Sequence, residues 1–174
     1  MISSDTDATT YPFSIAMSTD VEMITFQDSW KHLKHYQGVF NSQFDVLGKH
    51  KMLNRQWAMV ADWRKWLVQV PEAERLCVRS IGNFASQGLT HFAPVCENHP
   101  ISQWQAQKVI ESNQGLRCKI FGDCQSALEW LQEEGYDINM TPEPFDHDWM
   151  KPSFEFDSIL KGLGMNPSRF VTTF

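Results

Sequence analysis

The chain has 174 residues, a length that suits one domain, with 15 Lys plus Arg against 21 Asp plus Glu and a formal net charge of −6. Hydrophobic residues at 42% and charged residues at 21% exclude a chain disordered throughout and one embedded in a membrane. The excess of carboxylates, with no basic cluster beyond Arg64 and Lys65, speaks against a nucleic-acid partner, since a phosphate-binding surface needs concentrated positive charge.

Residues 1–11 (MISSDTDATTY) carry two carboxylates, no basic residue and no apolar run, which predicts a flexible N-terminus without a targeting signal and a cytoplasmic protein. Phe13 to Met17 and Val21 to Phe26 are β-prone runs joined by the turn formers Ser18, Thr19 and Asp20, so they predict a β-hairpin. Phe40, Phe44, Leu47 and Leu53 recur at helical spacing and predict an amphipathic helix over Phe40 to Leu53, weakened by Gly48. Trp57 to Asp62 (WAMVAD) is nearly all apolar, as expected of a central strand covered on both faces. Pro71, with Glu72 and Glu74 behind it, opens a helix whose inner face is Ala73, Leu76, Cys77, Ser80, Ile81, Phe84 and Ala85, and Gly88 stops it.

Thr90 to Cys96 predicts the next strand, with Pro94 marking an edge or an irregularity. Pro100 reads as a turn before a helix over Ser102 to Ser112, and Leu116 to Phe121 reads as another strand. Asp123 is placed to cap a last helix through the N–H of Gln125 or Ser126, with Ala127, Leu128 and Leu131 facing inward. Hairpin, helix, strand, helix, strand, helix, strand, helix is an α/β order, and it predicts a mixed sheet with helices packed on it. From Gly135 four prolines, together with Phe145, Trp149, Phe154, Phe156, Phe170 and Phe174, mark a C-terminal aromatic and proline-rich extension, residues 135–174, expected to dock on the main domain or on a second subunit. Phe154 to Leu163 reads as a short helix within it. The charge divides accordingly: −2 in residues 1–11, −1 in residues 12–134 and −3 in residues 135–174.

Four blocks carry a family resemblance: WAMVADWRKW (Trp57 to Trp66), VPEA (Val70 to Ala73) opening a long helix, HPISQWQ (His99 to Gln105), and RCKIFGDCQSALEWL (Arg117 to Leu131). Together they resemble the STAS-like superfamily over about Phe13 to Glu134, most closely its SpoIIAA-like branch, whose fold is shared with lipid-binding CRAL-TRIO domains. The resemblance implies a STAS-like α/β domain over residues 12–134. In the regulatory branch it also implies a phosphorylatable Ser or Thr at the start of the helix after the central strand. This chain departs there, having no hydroxyl between Asp62 and Arg79, and Glu72 reads first as a macrodipole stabiliser.

Candidate chemistry is sparse. No GxGxxG, Walker loop, HExxH, GxSxG or zinc-finger spacing occurs, so no enzyme activity, metal or cofactor is expected. Cys77, Cys96, Cys118 and Cys124 lack a CxxC pair and read as free thiols. His32 and His35 are interleaved with lysines that disfavour a cation, and Asp146, His147 and Asp148 are too close along the chain to converge on one ion. KGLG, with Gly162 and Gly164, follows no buried strand. Trp104 and Trp130 read as packing residues.

Cys96 and His99 stand at the end of a strand, where α/β folds place ligands, with Glu97 beside them. Arg64 and Trp66 follow the central strand, and an Arg for an anion beside a Trp for apolar contact suits a binding surface. Arg64, Trp66, Glu97 and His99 are therefore the candidate ligand- or partner-binding residues. The expected function is non-enzymatic, an interaction with a protein partner or a second copy. The alternative is a carrier of a small apolar or lipid-like ligand, as the CRAL-TRIO relatives imply, and it predicts a large apolar cavity.

Overall fold

The computed structural model describes residues 13–26, 33–65 and 71–144. The N-terminal eleven residues, His32, Trp66, the Asp146 to Asp148 cluster, Phe154 to Leu163 and KGLG lie outside the described residues, as does the side chain of His35.

The hairpin forms as the alternation predicts. Strands β1 (Phe13–Met17) and β2 (Val21–Phe26) pair antiparallel with Ile15 opposite Ile24. Ser18 closes the turn, its hydroxyl accepting from the Val21 N–H at 2.9 Å. Helix α1 runs Leu33–Lys49, beginning earlier and ending sooner than the apolar spacing suggests. It stops because the chain turns through left-handed backbone at Lys51 (φ 55°) and Asn54 (φ 63°), so Leu53 sits in the connection rather than on the helix.

Strand β3 (Trp57–Asp62) is buried at all six positions. Helix α2 (Pro71–Ser86) starts at its proline and buries Ala73, Leu76, Cys77, Ser80, Ile81 and Phe84, whereas Ala85 is only half-buried. Gly88 is required where it stands: its φ is +104°, and a Cβ would lie 1.6 Å from the Arg55 carbonyl oxygen.

Strand β4 (Leu89–Val95) leads to α3 (Pro100–Glu111), where Pro100 is the first helical residue and not a separate turn. The Leu116 to Phe121 strand shrinks to β5 (Arg117–Cys118) plus a single bridge from Phe121 to Val95. Pro94 is the reason. On this side of β4 the ladder is carried by Phe92 and Cys96, which pair with Lys119 and Phe121, and between them Pro94 has a carbonyl but no N–H. Pro94 thus marks an irregularity in an interior strand, not an edge. Helix α4 (Cys124–Glu133) follows, and β6 (Thr141–Pro142) ends the described chain.

The sheet order is β5-β4-β3-β2-β1-β6, parallel from β2 to β5 and antiparallel where β1 meets β2 and β6. It is a mixed α/β sheet. Each crossover from β2 to β5 moves one strand in the same direction, and crossovers of one hand then leave their helices on one face. That face carries the larger side chains, Phe13, Ile15, Trp57, Met59 and Phe92, under α1, α2 and α3. The opposite face is built from Val21, Ala58, Val60, Ala93 and Val95, small enough for α4 to approach with Ala127 and Leu131. Residues 135–144, the start of the expected extension, run over this second face through Tyr136, Ile138 and Met140. They end with β6 on β1, where the Glu143 N–H donates to the Ile15 carbonyl at 2.8 Å.

Candidate functional site

The carboxyl ends of β3 and β4 and the start of α4 bring together Asp62, Arg64, Cys96 and Cys124. Asp62, the last residue of β3, is buried. Its two oxygens accept from Arg64 Nε at 2.9 Å and Nη2 at 2.8 Å, a bidentate pair, and the Arg64 N–H adds a bond at 3.2 Å. Burial alone would raise the Asp62 carboxyl, but the Arg64 contacts outweigh it and hold it below the usual carboxylate range. Arg64 Nη2 also reaches Cys124 Sγ at 3.7 Å. Burial first, then the charge of Asp62, push the Cys124 thiol up to about 11, and the same two causes push Cys96 to about 11. Both are thiols at neutral pH, not thiolate nucleophiles. Asp123 caps α4 as its position predicts, accepting from the Ser126 N–H at 2.7 Å.

The three candidate residues that are described, Arg64, Glu97 and His99, do not form one site. Arg64 is a working member of the cluster, with its guanidinium partly in water. Glu97 is exposed and acts on Arg64 only through its charge. His99 is exposed and is the N-cap of α3, its Nδ1 accepting from the Ser102 N–H at 3.5 Å. A Cys96/His99 nucleophilic pair is therefore not formed: the ring nitrogen is turned to the helix, and the thiol is buried and protonated. Trp66 lies outside the described residues.

Two buried polar groupings escaped the sequence reading. Under α4, Tyr136 Oη lies 2.7 Å from both Thr90 Oγ1 and His91 Nδ1, and His91 Nε2 lies 3.3 Å from Glu134, which also takes Arg117 at 2.7 Å. One arrangement satisfies the chain: Nε2–H donates to the carboxylate, and the tyrosine hydroxyl donates to Nδ1. The network pins the segment after α4 to the start of β4 and leaves the tyrosine hydroxyl buried. The other grouping is Glu22 on β2, wholly buried beneath α1, whose Oε1 accepts from Gln43 Nε2 at 2.6 Å while Oε2 has no partner. Burial pushes its carboxyl up to about 8, against the lowering effect of Gln43. The sequence does carry a signal for it: Glu22 shares strand parity with Ile24 and Phe26, an acid on the apolar side.

Beside Gln43 the interior has a gap of about 20 Å³, lined among others by Ile24, Phe40, Met59 and Phe84, room for about one water. The larger hollows, about 400 and 560 Å³, are open grooves on the outside of α2 and α3, lined by Arg79, Asn83, Ser112 and other polar residues. On α3 itself Ile101 (47% exposed) and Trp104 (57% exposed) share one helical face, so Trp104 is not the packing residue expected of it. Lys108 lies 3.8 Å over the Trp104 ring and pairs with Glu74 of α2 at 3.0 Å. Trp130 does pack, against Phe121 and His91.

Among the described residues no group of His, Cys, Asp and Glu is arranged to hold a metal, and no helix is long and apolar enough to cross a membrane. No protein-family model, curated protein or solved structure matches the chain.

Proposed function

We propose that this is a non-catalytic, SpoIIAA-like (STAS-like) binding module of the cytoplasm that works by docking a protein partner or a second copy of itself. The observation that carries the reading is an α3 face that holds Ile101 and Trp104 in water. An aromatic and an aliphatic side chain one turn apart, fringed by Lys108, His99 and Glu97, have the make-up of an interface anchor with a polar rim. The element order and the mixed sheet with its antiparallel hairpin support the STAS-like expectation. The Asp62–Arg64–Cys124 cluster supports a bracing role, because its carboxylate is engaged and its thiol is protonated.

The carrier reading has less behind it: the interior gap lined by described residues beside Gln43, about 20 Å³, is too small for a lipid chain. Sedimentation velocity over a hundredfold range of protein concentration, with pull-downs from a source lysate, tests the proposal. Association or a captured partner that is lost in Trp104→Ala supports it. Association that survives Trp104→Ala and Ile101→Ser, or a strictly monomeric protein with no partner, refutes it.

A further inference from the structure

The two hollows on the outside of α2 and α3 adjoin, sharing Val78, Arg79 and Ser112. In the larger, about 560 Å³, the charges largely answer one another: Lys108 pairs with Glu74 at 3.0 Å, and Glu111 accepts from Gln107 Nε2 at 3.2 Å. Lys108 also joins this hollow to the exposed face of α3, since its ammonium lies 3.8 Å over the Trp104 ring. In the smaller, about 400 Å³, Arg79 is the one charged residue among the described lining, and the walls are amides and hydroxyls, Asn83, Ser86, Ser112 and Asn113. Arg79 is exposed and makes no hydrogen bond or ion pair among the described residues, whereas Arg55, Arg64, Arg75 and Arg117 each have a partner. The floor is kept low by Gly82, a glycine in the interior of α2, where it weakens a helix. A Cβ there would stand 3.1 Å from Asn113 Oδ1. Asn113 is fixed by its own Nδ2, which donates to the Val78 and Val109 carbonyls at 3.3 and 2.9 Å.

We propose that the α2–α3 groove receives an extended segment of a partner protein, which places an apolar side chain on Trp104 and Ile101 and an acidic side chain on Arg79. The inference rests on the reading of the α3 face as a docking surface and adds the chemistry of what docks there. Charge selects the acid: a guanidinium offers a planar fork of donors that fits a carboxylate, and in the smaller hollow no described carboxylate competes for it. The amide and hydroxyl walls select an extended chain, whose backbone N–H and C=O groups are free to pair with them, over a helix, which has already used its own. The helix repeat sets the spacing. Ser112, which lines both hollows with Arg79, stands eight residues after Trp104 on α3, about 12 Å along its axis. At about 3.3 Å per residue, an extended chain covers that distance in about four residues, so the apolar and acidic side chains of the partner are about four positions apart.

The test selects binders of the full chain from a random library of displayed peptides, then measures one enriched peptide, synthesised with a fluorescent label, by anisotropy. The expected pool shares an aromatic or aliphatic residue and an Asp or Glu about four positions apart. The labelled peptide should bind about tenfold more weakly to Arg79→Gln and to Trp104→Ala, the factor expected from one charged hydrogen-bonded pair or one buried anchor. Changing the peptide's acid to its amide should cost the same factor on the parent and nothing further on Arg79→Gln, a readout that does not depend on how well the variant folds. A pool without an acid, peptides that bind Arg79→Gln as tightly as the parent, or no enriched peptide at all overturns the inference. Binding that needs Trp104 but not Arg79 overturns it while leaving the docking reading of α3 intact, and binding that needs Arg79 but not Trp104 overturns both.

Discussion

Replacing Glu22 with Gln should stabilise the protein at neutral pH, by an amount that grows with pH. Glu22 is fully buried on β2 and its carboxyl is raised from 4.5 to about 8, so the folded protein carries it protonated at pH 7 while the unfolded chain carries it ionised. Folding at pH 7 must therefore take up a proton, which costs about 3 kcal/mol for a group whose ordinary value is 4.5. The sign follows from the direction of the shift. With the folded value raised, its contribution is fully present below pH 4.5, falls by about 1.4 kcal/mol per pH unit above that, and levels off past about 8. A glutamine keeps an acceptor for Gln43 Nε2 and has no proton to take up. Urea denaturation of both proteins at pH 5, 6, 7 and 8 measures the difference between them, which cancels every other titrating group. The variant should gain about 1.4 kcal/mol on the parent with each unit, reaching about 3 kcal/mol above the pH 4.5 reference at pH 7. A difference that stays constant from pH 5 to 8 would refute the reasoning, because it would mean that Glu22 is ionised in the folded state.

Arg64→Ala leaves the buried Asp62 carboxylate without its bidentate partner, and a loss of about 1–3 kcal/mol at pH 7 is expected, discounted for the half-exposed guanidinium. Asp62 is held low in the fold, so that stabilisation is present above its ordinary 3.8 and lost as pH falls below it; the gap between the two proteins in urea should close on acidification. Phe84→Ala empties the contact of α2 with Phe44 and with the edge of Trp57 at 5.7 Å, and should cost about 3–5 kcal/mol by the same assay. Gly88→Ala should cost well over about 1 kcal/mol in thermal unfolding, since the backbone is left-handed and the Arg55 carbonyl occupies the place of the new methyl.

What could be read from the sequence is what neighbours along the chain decide. Strands β1, β2 and β3 and the start of α2 fall where alternation, an apolar run and a proline followed by two glutamates place them. The start of α3 is two residues off because its cap is His99, a residue outside the usual capping set, so Pro100 looked like a turn rather than the first helical position. β5 is short for a reason its own residues do not contain, the missing N–H of Pro94 on the neighbouring strand. β6 pairs through Thr141 and Pro142, which have no strand signal at all and depend on β1 having a free edge.

The candidate site divides in the same way. Arg64 is legible because it follows the central strand, with its defining partner Asp62 two residues before it, but its further contact, Cys124, is 60 residues away, and only the sheet brings β3 and α4 together. His99 looked functional for its chemistry and proves to serve the backbone. Glu22 went the other way: its chemistry was ordinary in a list of acids, and what makes it unusual is the parity that turns it toward Ile24 and Phe26 beneath α1. In this fold the informative residue is therefore a polar one on an apolar position, Glu22 on β2. Burial without a full set of partners is costly, and such groups persist only where something in the structure answers them. For Glu22 the answer is a proton.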